Sequence, residues 1–222
     1  MQPPDRDAIA AALRSRAVRD LPALPGRRNH LRAGVLLPLR RDLNALDCAA
    51  ILRPPRAPEH GGEVSFPGGG PKPEDGGSIL NTALREAREE LGLSEVDVLG
   101  RLDSTPLYTS EWRLEPYVGW LTPPVELMPC PLEVERPLWF DLMTPLRSGE
   151  VEAVRIDAAG RRFTMPVFRA DGFVVYGATS IVMMELVRLL ADVTGVAQPE
   201  MVPGALDFED LMGRGARAGR TT

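Results

Sequence analysis

Between Arg85 and Leu93 the chain reads Arg-Glu-Ala-Arg-Glu-Glu-Leu-Gly-Leu, which places carboxylates at Glu86, Glu89 and Glu90. On a helix, residues three and four apart share a face, so these three acids crowd together. Like charges at that spacing repel and give a surface helix nothing. A divalent metal is the natural counterweight, because carboxylate oxygens are hard ligands suited to Mg²⁺ or Mn²⁺. Such a centre offers hydrolysis of a phosphate or pyrophosphate ester, in which the cation screens the phosphate and activates water.

The elements around the three acids are those needed to present them. Ser78 is a side-chain cap for the helix start and Gly92 is suited to the left-handed residue at its end. Leu80, Ala83, Leu84, Ala87 and Leu91 form an apolar stripe that lies roughly 120° around the helix from the acids. One side therefore packs while another presents carboxylates. Upstream, the strand-like Glu63-Val64-Ser65 runs into Phe66-Pro67-Gly68-Gly69-Gly70, a loop whose backbone can come close to a ligand.

With those residues in hand, Phe66-Pro67-Gly68-Gly69 followed by Arg85 to Leu93 resembles the Nudix hydrolase box, which runs Gly, five residues, Glu, seven residues, Arg-Glu-apolar-x-Glu-Glu-x-Gly-apolar. The second half fits at every specified position. In the first half the Gly slot falls on Pro71 and the Glu slot on Gly77, and the loop from Gly69 is two residues longer than the pattern. Glu74 or Asp75 is the acid available in place of the missing one; neither is taken as a metal ligand. Further upstream, Ile51 to Gly69 is similar to the signature that precedes the box in the coenzyme A pyrophosphatase subgroup, with Arg53, His60, Gly62, Val64 and Phe66 in register. Pro54 stands in that signature's Ser slot and Ile51 in a Thr slot. Glu115-Pro116-Tyr117-Val118-Gly119 and Tyr176 to Ser180 are similar to later parts of the subgroup pattern, so the resemblance spans roughly residues 30–193.

The resemblance implies an α/β fold, a Nudix-type α/β/α sandwich with a mixed sheet. It also implies metal-dependent cleavage of coenzyme A to 3′,5′-ADP and 4′-phosphopantetheine. Glu86 and Glu90 are expected as principal metal ligands, with Glu89 as third ligand or as the base that orients water. Arg85 either holds the carboxylates in place or makes a helix ion pair with Glu89. Glu150 or Glu152, from a later segment, are alternative bases. Arg53, Arg56 and His60 are candidates for the substrate's extra ribose phosphate, with His60 alternatively bracing the loop. Gly68 and Gly69 would line the substrate, and Tyr108 or Trp112 could stack on adenine. Other readings are a Nudix hydrolase of ADP-ribose or another nucleoside diphosphate derivative, and, from a different class, a nucleotide-sensing module without catalysis.

The rest of the sequence agrees with a cytoplasmic enzyme. Its 222 residues, 44% hydrophobic, suffice for one substantial core. No apolar run is long enough for a membrane span and the N-terminus lacks a secretory pattern. Cys48 and Cys130 read as reduced thiols. The net charge of −5 argues against general nucleic-acid binding. The expected organisation is an N-terminal helix and linker over 1–29, the hydrolase domain over 30–195, and a C-terminal segment over 196–222 that frays from Gly213. Strands are expected at 33–39, 48–52, 96–102, 114–121 and 136–140. A short helical turn follows at 141–146, then a hairpin of 151–156 with 162–167 around Asp157 to Gly160. Residues 178–191 read as an apolar helix on the sheet. Oligomeric state has no signal in the sequence.

Overall fold

A computed structural model describes residues 1–158 and 161–213. Its elements in order are α1 (Arg6–Ser15), β1 (Leu31–Arg41), β2 (Leu46–Leu52), β3 (Val64–Ser65), β4 (Gly68–Gly69), α2 (Ile79–Leu91), β5 (Asp97–Arg101), β6 (Thr105–Pro106) and β7 (Trp112–Trp120). There follow β8 (Arg136–Asp141), α3 (Met143–Ser148), β9 (Glu150–Ala158), β10 (Arg161–Pro166), β11 (Phe168–Ala170), β12 (Phe173–Val175), α4 (Gly177–Thr194), β13 (Glu200–Pro203) and α5 (Phe208–Gly213).

The main sheet runs β3-β2-β1-β7-β5, with β8 paired to β2, β4 to β1 and β6 to β7. Its centre is mixed: β1 is antiparallel to β2 and parallel to β7, with Leu36 beside Tyr117. Strands buried on both faces read as continuous apolar runs, which is why Ala33 to Leu39 shows no polar alternation. Leu36, Ala49 and Ile51 face a core with Ala83, Ala87 and Leu91 of α2. Val35, Leu37, Cys48 and Ala50 point the other way, into a core with Val182, Leu186 and Leu190 of α4 and Ile9 and Leu13 of α1. The sheet is therefore the middle layer of an α/β/α sandwich, and α1 belongs to the same core.

Helix α2 begins where Ser78 Oγ accepts the Asn81 N–H (3.2 Å) and ends at Gly92, whose φ of +72° is the left-handed conformation that favours glycine. Its backbone rests directly on β1: a Cβ at Gly34 would lie 2.3 Å from the Ile79 carbonyl oxygen. The hairpin expected from 151–156 and 162–167 forms as β9 and β10, with Asp157 beside Arg162, while the turn residues Ala159 and Gly160 lie outside the described residues. Beyond residue 195, where no element was expected, β13 pairs parallel with β9 and α5 follows. The tail expected to fray from Gly213 lies, past that residue, outside the described residues. Among the described residues no helix is long and apolar enough to cross a membrane, and Cys48 and Cys130 are free thiols.

Candidate active site on the acidic helix

The glycine loop is pinned by pairing, not left loose. Gly68 and Gly69 form β4, opposite Val35 and Gly34 of β1, and this brings them against α2. The Gly68 N–H donates to Glu90 Oε2 at 2.9 Å. A Cβ at Gly69 would stand 2.5 Å from Glu86 Oε1, so only glycine lets that carboxylate sit where it does.

Glu90 is only 3% exposed. Burial pushes its carboxyl up to about 8; the Gly68 N–H and the Arg53 charge oppose this, and Glu86 and Glu133 add to it. A carboxylate in that setting is short of positive charge. One oxygen each of Glu86, Glu90 and Glu133 lie within 4.8 Å of one another. Hard oxygens at that spacing, one of them buried and crowded by like charge, fit a divalent cation.

Arg85 organises the acids from within. It is buried, and its guanidinium forks onto Asp75 (Nε to Oδ1 2.9 Å, Nη2 to Oδ2 3.1 Å). Nη1 donates to Glu86 Oε1 (2.8 Å) and to Glu89 Oε2 (2.9 Å), and Nη2 also reaches the Gly70 carbonyl (3.1 Å). One guanidinium thus bonds Glu86 and, one turn on, Glu89. Asp75 further accepts the Lys72 N–H (2.7 Å) and the Thr82 hydroxyl (2.9 Å). The Arg85 bond first, and the Lys72 N–H second, hold its carboxyl well below the usual range, while Asp75 in turn raises Arg85. Of the two acids available in the longer loop, Asp75 is thus the partner of Arg85 and Glu74 is exposed.

Glu89 lies outside the close carboxylate group. Besides Arg85 it is held by Lys72 Nζ (3.1 Å) and it faces solvent. Burial works upward on its carboxyl, but the bonds from Lys72 and Arg85 outweigh it and hold the group below its ordinary value. The third acid beside Glu86 and Glu90 is instead Glu133, in the segment before β8. Sequence reasoning passed over it. That segment is tied to the open end of α2, with Met128 N–H donating to the Leu91 carbonyl (2.9 Å) and Cys130 N–H to the Glu90 carbonyl (3.0 Å). A helix C-terminus leaves such carbonyls without internal partners, and satisfying them delivers Glu133 to the site.

Arg53 follows β2 and its charge acts on Glu90. Its Nε is buried and, among the described residues, has no hydrogen-bond partner. His60, at φ +55°, meets Glu63 through Nδ1 (3.0 Å), and Tyr176 donates to the other Glu63 oxygen (3.3 Å). Glu63 thus joins His60 to Tyr176. Arg56 is exposed and makes no hydrogen bond or ion pair among the described residues. Trp112 packs over Gly70, where a Cβ would lie 2.9 Å from its ring, and opens β7. Tyr108 is half exposed, its ring centroid 6.3 Å from that of Phe163. Glu150 and Glu152 stand on β9 in a separate three-stranded sheet, with Glu152 paired to Arg169. A cavity of about 340 Å³ on the other flank of α2, bordered by Asn81, Leu84, Arg85 and Arg88, does not include Glu86 or Glu90.

Fold and site together define an α/β/α sandwich with a carboxylate centre behind a glycine loop. The NUDIX domain model matches residues 29–156. A protein of Photorhabdus laumondii named as an uncharacterized Nudix hydrolase, NudL, is 32% identical over 167 residues, which cover 72% of this chain and 85% of that one. The peroxisomal coenzyme A diphosphatase ndx-8 of Caenorhabditis elegans is 32% identical over 67% of this chain and 64% of its own. The mitochondrial coenzyme A diphosphatase NUDT8 of Homo sapiens is 34% identical over 64% of this chain and 61% of its own. The aligned part thus spans less than two thirds of either diphosphatase. The chain belongs to the Nudix hydrolase family and is a pyrophosphohydrolase of that family.

Proposed function

We propose that this enzyme cleaves the pyrophosphate bond of coenzyme A and its derivatives in a Mg²⁺- or Mn²⁺-dependent hydrolysis, giving 3′,5′-ADP and 4′-phosphopantetheine. The chemistry rests on one observation: Glu86 and Glu90 are held side by side against Gly68 and Gly69. The substrate rests on Arg53, whose buried Nε has no hydrogen-bond partner among the described residues, on the segment from Arg53 to Gly69, and on two relatives named as coenzyme A diphosphatases.

Glu86 and Glu90 would hold the cation. When bound, it supplies positive charge to screen the diphosphate and Lewis acidity to activate water. The chain's own residues set the geometry. Arg85, locked by Asp75, fixes Glu86 and Glu89 before substrate arrives, so little ordering remains at the moment of reaction. Glu89 is ionised at neutral pH and accessible, and it orients the attacking water and accepts its proton. Water oxygen bonds to one phosphorus as the bridging P–O bond breaks, and the bridging oxygen leaves on the other phosphate. Arg53 meets the ribose 3′-phosphate by a charge-assisted hydrogen bond. We place the activity in the cytoplasm, in keeping with two free thiols.

The test is a comparison of coenzyme A, 3′-dephospho-coenzyme A, ADP-ribose and a diadenosine polyphosphate at equal concentration with Mg²⁺. Coenzyme A should show the highest kcat/KM, and Arg53→Ala should lower it more for coenzyme A than for the dephospho form. Faster cleavage of ADP-ribose removes the substrate assignment, and nucleotide binding without turnover makes the protein a sensor.

A further inference from the structure

We infer that Tyr176, the N-cap residue of α4, is a positioning residue for substrate: through Glu63 it fixes the base of the loop that Arg53 opens. This rests on the reading above in which Arg53 meets the ribose 3′-phosphate. Residues 54–62 contain no helix or strand, so their order comes from the base of the loop. There Arg53 N–H donates to the Glu63 carbonyl (3.0 Å) and Gly62 N–H to the Arg53 carbonyl (3.1 Å). Arg53 and Glu63 are thus backbone partners, and a group that holds Glu63 also sets where the Arg53 side chain starts.

The Glu63 carboxylate is held from two directions. Its Oε2 meets His60 Nδ1 (3.0 Å) from within the loop, and its Oε1 accepts the Tyr176 hydroxyl (3.3 Å) from a residue 113 positions later. The first contact closes within the loop; the second ties it to the body of the protein. The Tyr176 ring packs against a core of Val154, Ile156, Met165, Val167 and Leu211, so the hydroxyl comes from an anchored side chain. Burial, and then Glu63, push the phenol up to about 12, which keeps it a donor at neutral pH. In the first turn of α4, Thr179 Oγ1 donates to the Val64 carbonyl (3.1 Å), next to Glu63. The start of α4 therefore grips both the end of the loop and β3, which runs on into the glycine loop. The Arg53 charge acts on Glu63 and on Glu90 alike, yet its buried Nε has no hydrogen-bond partner among the described residues. A guanidinium without that bond depends on its backbone for position, and the Tyr176–Glu63 contact secures that backbone.

The test is steady-state kinetics of the full chain with Mg²⁺ on coenzyme A and 3′-dephospho-coenzyme A, for wild type, Tyr176→Phe, Arg53→Ala and the double variant. Thermal melts check that each is folded. Tyr176→Phe keeps the ring and removes the hydroxyl. It is expected to raise KM for coenzyme A by roughly three- to tenfold, the net effect of one hydrogen bond, with kcat and the KM for the dephospho form nearly unchanged. Glu63→Ala, which removes the acceptor, should reproduce that split. In the Arg53→Ala background Tyr176→Phe should add nothing, because effects that pass through one residue are not additive. Wild-type kinetics in Tyr176→Phe, equal changes for both substrates, a fall in kcat alone, or full additivity with Arg53→Ala overturns the role of Tyr176 and leaves that of Arg53 standing. If wild type does not turn over coenzyme A, or Arg53→Ala affects both substrates equally, the substrate reading itself fails, and this inference with it.

Discussion

Both carboxylate oxygens of Asp75 face the guanidinium of Arg85, at 2.9 and 3.1 Å, and the same guanidinium holds Glu86 and Glu89 on its other edge. Asp75 touches neither Glu86 nor Glu90 in this arrangement; it acts on them through Arg85. Removing one charge from the fork frees Arg85 to turn and loosens the carboxylates it positions. Asp75→Asn should therefore lower kcat by about 10–100-fold, the range typical of a partner that orients a metal ligand, with a smaller change in KM. A loss confined to KM would contradict that role.

Glu90 sets the metal dependence of stability. In metal-free protein its buried carboxyl is crowded by Glu86 and Glu133, and a neutral amide relieves that. Glu90→Gln in chelator should melt at or above the wild-type temperature. Adding Mg²⁺ should raise the wild-type midpoint, since a ligand at a hundredfold excess over its Kd adds about 2.7 kcal/mol. The variant should show almost no rise and almost no turnover. Equal metal-induced shifts in both proteins would contradict the assignment.

The brace between His60 and Glu63 carries a pH signature. The hydrogen bond to Glu63 lifts the His60 imidazole above its ordinary value against the effect of burial, and the same bond lowers Glu63. The histidine's contribution is complete below its unfolded value of 6.5 and fades as pH rises through the higher folded value. The glutamate's is complete above its unfolded value of 4.5 and fades as pH falls through the lower folded value. The difference in melting temperature between wild type and His60→Ala should peak between those two values. Because the pair is half exposed, its size should be under about 1 kcal/mol. A difference that does not vary with pH would rule the brace out.

Glycines separate catalysis from folding. The three atoms nearest an added methyl at Gly69 all belong to the Glu86 carboxylate, which can move, so Gly69→Ala should fold and lose most of its activity. At Gly34 the methyl meets the backbone of α2 at Ile79 and Ala83, which cannot give way. Gly34→Ala should lose about 1–3 kcal/mol in urea unfolding, as overpacked sites do. Reversed outcomes would contradict the contacts described.

What the sequence displayed well was whatever depends on short-range pattern. Ser78 and Gly92 bound α2 as expected, because caps are local chemistry, and the acids at 86, 89 and 90 share a face because helical geometry requires it. The apolar runs of β1 and β2 were legible for the same reason. Glu133 was not: it reaches the site through backbone bonds between a proline-rich segment and the end of α2, about 40 residues earlier, and no periodicity marks such a contact. Asp75 was one of two acids in a loop of unusual length, and only the fold of that loop chooses it over Glu74. The strand β13 is four residues long and pairs with β9 across some 50 residues, so its stability comes from the partner and not from its own sequence.

The most direct measurement is product analysis by mass spectrometry after incubating coenzyme A with wild type and with Glu90→Gln, each with Mg²⁺ and with chelator. Wild type with Mg²⁺ should yield 3′,5′-ADP and 4′-phosphopantetheine in equal amounts, and the other three reactions should leave coenzyme A intact. Intact coenzyme A in every reaction, or equal product from Glu90→Gln, would contradict pyrophosphate cleavage at this carboxylate centre.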